Sequence, residues 1–169
     1  MGMTKTKQVS LCAVLTALAM ALSYTERFLP LQLLIPLPGI KLGLANIVTL
    51  LALYALGKRY AYMILICRCI LGAVFGGGIT GLLFSLTGGI LALTVMMLAR
   101  KLPLFSLYGV SILGAAAHNV GQIFACMVLM HTVYVAAYLP YLLLVALVTG
   151  FLTGTLTAGI LKNMKRNHS

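Results

Sequence analysis

The chain has 169 residues, of which 62% are hydrophobic and only 8% charged, with a mean hydropathy of +1.11. Twelve Lys and Arg stand against a single acid, Glu26, for a net charge of +11. Such basicity would suggest nucleic acid in a soluble protein, but a soluble globule could not cover its surface with so few charges, so an all-α membrane protein is expected and nucleic acid is not a partner.

Apolar runs of roughly 15 to 25 residues match the thickness of a bilayer. They predict one domain over 1–169, a bundle of six transmembrane helices at about 8–24, 43–57, 60–75, 79–99, 107–131 and 138–161. No length remains for a soluble catalytic domain. The first run is basic and then apolar, like a signal peptide, but it continues to Tyr24 without a small-residue cleavage site, so it is expected to stay as a membrane helix. Within it Ala13, Ala17 and Ala21 recur at intervals of four. That spacing lays three methyl groups along one face, which suits close approach by another helix, either a partner protein or a neighbour in the bundle.

The connection at 25–42 runs from Thr25, Glu26 and Arg27 through Pro30, Pro36 and Pro38 to Lys41. Its prolines exclude a continuous helix, and it is too apolar for a solvated linker. It is expected to pack on or into the bundle, as a lid or as a re-entrant element. The run from Pro38 to Asn46 then joins a turn, a cation and an amide at the start of the second helix. Backbone N–H groups there favour anions, and Lys41 adds to that field unless it only snorkels to the interface.

Gly57-Lys58-Arg59 makes a tight turn into the third helix, which carries Arg68 near its middle. An arginine there costs at least about 2.5 kcal/mol on insertion scales. It is expected to reach Glu26, to meet helix carbonyls or to await an anionic ligand. Gly76-Gly77-Gly78 ends this helix, and Pro103 and Pro140 mark further ends. The pairs Gly72/Gly76, Gly77/Gly81 and Gly150/Gly154 suggest close internal packing. His118, Asn119 and Gln122 form the one strongly polar patch of the fifth helix, placed to bind a ligand or a neighbouring helix. Tyr134, Tyr138 and Tyr141 fit an interfacial aromatic belt or the mouth of a site. Cys12, Cys67, Cys69 and Cys126 lack metal-ligand or redox spacing and read as small buried hydrophobes. No metal or cofactor is expected, and no P-loop is present.

Nine of the cations lie in four clusters: Lys5 and Lys7; Lys58 and Arg59; Arg100 and Lys101; Lys162, Lys165 and Arg166. With six spans these all fall on one side, which the positive-inside rule makes the cytoplasm, together with both termini. The outer loop between helices 1 and 2 then carries Arg27 and Lys41 against the trend. No half-to-half repeat argues for an inverted-repeat carrier.

The 38–46 stretch, the glycines at 76–81 and the A-A-H-N-x-x-Q run at 116–122 resemble the Gx transporter family, also labelled heptaprenyl diphosphate synthase component I, over essentially the whole chain. A six-helix chain with Ala13-x-x-x-Ala17 is also similar to the substrate-binding S components of energy-coupling factor transporters. That resemblance implies docking of the alanine face on a transmembrane scaffold subunit, paired cytoplasmic ATPases as the energy source, and gating by the first outer loop. The label of a prenyl synthase meets a chemical objection. Prenyl transfer needs Mg²⁺ and hard oxygen ligands to hold it, and the chain has no Asp and one Glu. It is therefore not expected to be an enzyme. The expected function is capture of a small, anionic or electron-rich organic molecule, a vitamin or isoprenoid precursor, in the bacterial plasma membrane. Lys41, Asn46, Arg68, Asn119 and Gln122 are the candidate pocket residues, with Arg27 at the rim. The alternative is a non-catalytic accessory subunit of heptaprenyl diphosphate synthesis.

Overall fold

The computed structural model of the chain describes residues 5–26, 41 and 43–166, and these are mostly helical, with no strand among them. The elements are α1 (Lys5–Thr25), α2 (Asn46–Ala55), α3 (Lys58–Gly72), a π-helical turn (Ala73–Gly77), α4 (Gly78–Ala99), α5 (Leu107–Met130), a 3-10 turn (Tyr134–Tyr138) and α6 (Leu139–Arg166). Four stretches among the described residues are long and apolar enough to cross a membrane: Lys5–Thr25, Lys58–Ala99, Leu107–Met130 and Tyr134–Met164. Their outward faces carry Val14, Leu18, Val74, Leu144, Val148 and Phe151, all exposed. An apolar surface on that scale requires lipid around it.

Lys58–Ala99 is helical over 42 residues, yet it is not one rod. A straight helix would hold Tyr62 and Thr94 about 48 Å apart, whereas their hydroxyls are hydrogen-bonded at 2.8 Å. The reversal occurs where Phe75 (φ −85°, ψ 35°) and Gly76 (φ 103°, ψ 9°) leave helical geometry. Gly76 and Gly78 both have positive φ, which explains why glycines stand there. α3 and α4 therefore lie antiparallel, and Gly89 allows the contact, since a Cβ there would fall 2.5 Å from Leu65.

α2 departs from the expected 43–57 span. It is ten residues long, Asn46–Ala55, because Gly43 (φ 79°) and Gly57 (φ 91°) bracket it in left-handed conformation. Every residue from Asn46 to Leu53 is buried, and the helix touches α1, α3, α4, α5 and α6. A helix that is apolar all round suits burial on every side. α2 is the core of the bundle.

The close pairings α4–α5 and α5–α6 rest on small residues. A Cβ on Gly121 would sit 2.8 Å from the Gly88 Cα, and one on Gly150 would sit 2.6 Å from the Ile112 Cα. The expected close packing therefore holds for Gly150 and Gly154, which face α5. At the end of the bundle that carries Lys58, the Arg100 guanidinium lies 4.4 Å over the Tyr54 ring and bonds the Leu53 carbonyl. At the same end the Tyr60 hydroxyl donates to Gln8 at 2.7 Å. Cys67 is exposed, against expectation, while Cys12, Cys69 and Cys126 are buried.

Candidate functional site

Ten residues of α3 separate Arg68 from Lys58, a rise of about 15 Å along the helix. The side chain turns inward and is 7% exposed. Its Nη1 donates to the Ser23 hydroxyl at 3.4 Å, a long contact. Its Nε and Nη2 are buried with no hydrogen-bond partner. Of the three expectations for this residue, reach to helix carbonyls is not what these atoms do. Glu26 acts on Arg68 through its charge, not through a bond to either unmatched nitrogen.

Arg68 lines a cavity of about 40 Å³ between the C-terminal part of α1, α3 and the start of α4. That is room for roughly three waters. Lys41 also lines it, and its Nζ donates to Ser85 of α4 at 2.8 Å. Two cations from distant parts of the chain thus share one small space. Gly72, Gly77 and Gly81 form one side of it, and Met20, Tyr24 and Phe75 border it. A Cβ at Gly72 or Gly81 would meet nothing within 4 Å. These two glycines leave room beside the cavity instead of serving the close packing their spacing suggested.

Glu26 closes α1 onto the start of α2. Its buried carboxylate accepts the Leu44 N–H, and the Ala45 N–H also favours its charged form. Burial, the largest influence, pushes the carboxyl above its ordinary range; the two amides, Arg68 and Lys41 pull it down. Behind this latch lies a polar layer. With its amide oriented to satisfy both ends, Gln122 donates to the Lys41 carbonyl at 3.1 Å and accepts from the Lys41 N–H at 3.2 Å and from His118 Nε2 at 3.1 Å. A fully buried side chain of α5 therefore holds Lys41 by its backbone, and leaves the Lys41 ammonium to point at Ser85.

The predicted site residues divide accordingly. Lys41 and Arg68 come together at the cavity. Gln122 supports Lys41 from behind. Asn46 is buried at the first turn of α2 with neither amide atom partnered, and only a glycine fits at position 43, where a Cβ would fall 2.8 Å from Asn46 Nδ2 and 3.0 Å from His118. Asn119 is turned to α6, where its Nδ2 donates to the Leu142 carbonyl at 2.7 Å. Arg27 lies outside the described residues. Ala13, Ala17 and Ala21 are exposed on the outward face of α1, opposite Cys12, Leu15 and Ala19, which are buried. Tyr134, Tyr138 and Tyr141 are exposed, away from the cavity lining. Ser23, Ser85, Gly72 and Gly81 were not among the predicted pocket residues. A lone hydroxyl or glycine in an apolar helix is a weak signal, and only the position of Arg68 selects these four.

A protein-family model described as heptaprenyl diphosphate synthase component I matches residues 15–160. The chain belongs to that family. The match runs from α1 into α6 and so takes in every residue of the cavity lining. No curated protein and no solved structure matches the chain. Among the described residues no group of three His, Cys, Asp or Glu is placed to hold a metal ion.

Proposed function

We propose that this protein is a membrane-embedded binding subunit, similar to the S component of an energy-coupling factor importer, that captures a small anionic organic molecule from the outer side. The observation that carries this reading is Arg68. A buried guanidinium with two unmatched nitrogens, beside a lysine and a cavity, is costly for folding alone and well suited to an anion. The proposal includes six crossings of a bacterial plasma membrane, with both termini in the cytoplasm. The gathering of Gln8, Tyr60 and Arg100 at the end of the bundle that carries Lys58 supports it, as does the clustering of nine cations at chain ends and turns. The exposed face of Ala13, Ala17 and Ala21 is the proposed seat of a transmembrane scaffold subunit with an ATPase pair.

A second reading is a non-catalytic accessory membrane subunit of heptaprenyl diphosphate synthesis, and the family description favours it. Affinity purification from native membranes separates the two. Recovery with a membrane scaffold and ATPases, lost in an Ala13→Leu/Ala17→Leu variant, supports the importer. Recovery with a soluble prenyltransferase, unaffected by that variant, would reject it in favour of the accessory role.

A further inference from the structure

The two unmatched nitrogens of Arg68 are Nε and Nη2. These share one edge of the guanidinium plane, so their N–H bonds run parallel and meet two oxygens of the same group side-on. Nη1, the remaining nitrogen, is the one that bonds Ser23. The vacant valence is therefore a fork for a planar pair of oxygens, where a single-point anion contact would have left one nitrogen over.

Charge narrows the ligand further. Lys41 and Arg68 contribute two positive charges, and Glu26 is close enough to act on both. With Glu26 ionised, the balance is one positive charge. A monoanion completes it, whereas a diphosphate would bring surplus negative charge beside Glu26, with no carboxylate pair in the chain to hold an accompanying Mg²⁺. The cavity of about 40 Å³ admits a carboxylate head but no organic body. The body must lie where a side chain is missing, along Gly72 and Gly81, at which a Cβ meets nothing within 4 Å. On its other side it would meet Met20, Tyr24 and Phe75.

We propose that the ligand is an amphipathic monocarboxylate, its head bound side-on by Arg68 and its flat apolar body lying along the glycine wall. This rests on the reading of the cavity as a binding site and specifies the chemistry of what enters it.

The test uses three probes with one ring system: 2-naphthoate, 2-naphthamide and 2-naphthyl phosphate. Each is measured by equilibrium dialysis against the full chain in nanodiscs. The expected result is binding of the naphthoate about tenfold or more tighter than either other probe. Arg68→Lys keeps the charge and loses the fork, and should weaken the naphthoate by about tenfold. Gly81→Leu should abolish binding without lowering the unfolding temperature. Equal or tighter binding of the phosphate or the amide, full binding by Arg68→Lys, or no naphthoate binding at millimolar concentration would each overturn the carboxylate assignment. Mass spectrometry of molecules retained by the purified protein keeps the two ideas apart. A retained phosphorylated anion defeats the carboxylate and leaves the binding-subunit reading intact; a retained carboxylate supports both.

Discussion

Replacing Arg68 with methionine should make the ligand-free protein more stable and the binding function worse. The two buried unmatched donors each carry a desolvation penalty of about 1–3 kcal/mol, while the bond lost to Ser23 is long at 3.4 Å. Methionine replaces the apolar stem of the arginine and carries no charge. Replacing poorly compensated buried charge by an apolar side chain of similar volume is often stabilising by about 1–4 kcal/mol, and Arg68→Met should fall in that range. The same change removes two charge-assisted bonds to a bound anion, at about 1.5–3 kcal/mol each, so affinity should fall by about 100-fold or more. Unfolding in mixed micelles of dodecyl maltoside and dodecyl sulfate measures the first effect, and equilibrium dialysis of 2-naphthoate the second. A loss of more than about 1 kcal/mol in stability together with unchanged affinity would refute the reasoning, because it would make the guanidinium a structural strut.

Gly121→Ala should destabilise the protein by about 1–3 kcal/mol in the same unfolding assay, because the new methyl would face backbone atoms of Thr87 and Gly88 at 2.8–2.9 Å; a neutral result would show that α4 and α5 can separate freely. Gly72→Ala, by contrast, points into open space from a helical backbone and should be neutral or stabilising by about 0.4–1 kcal/mol, so a clear loss of stability there would contradict the placement of this glycine. Ala17→Leu, on the exposed face of α1, should leave the unfolding midpoint of the isolated protein within about 0.5 kcal/mol of wild type; a larger loss would place that face inside the bundle. Gln122→Leu should release the Lys41 backbone from α5 and weaken anion binding while Arg68 stays in place, and unaltered binding would remove the clamp from the account.

Helix positions were readable in the sequence because glycine and proline mark where this chain stops being helical. α5 was expected at 107–131 and ends at Met130, where His131 takes a left-handed conformation. α4 was expected at 79–99 and runs Gly78–Ala99. The second helix was expected at 43–57 and is shorter, Asn46–Ala55, and its surroundings were not legible for a physical reason. An unbroken apolar run has the same composition whether it faces lipid or protein, so nothing in 46–55 announced that α2 is enclosed by five neighbours.

Arg68 and Lys41 were legible as functional residues because each sits where a cation is out of place. Their meeting at one cavity was not legible, since 27 positions of chain separate them and the contact depends on Gln122, 81 residues beyond Lys41, gripping the Lys41 backbone. Asn119 and Gln122 looked equivalent on the helix. In the folded chain one serves α6 and the other serves Lys41.

The central claim is that the cavity between α1, α3 and α4 holds an organic anion on Arg68. Mass spectrometry of small molecules retained by the purified wild-type protein and by Arg68→Met, prepared side by side, tests it most directly. The account predicts a carboxylate-bearing molecule in the wild type that is absent or strongly depleted in the variant. Identical retained molecules in both preparations would contradict it.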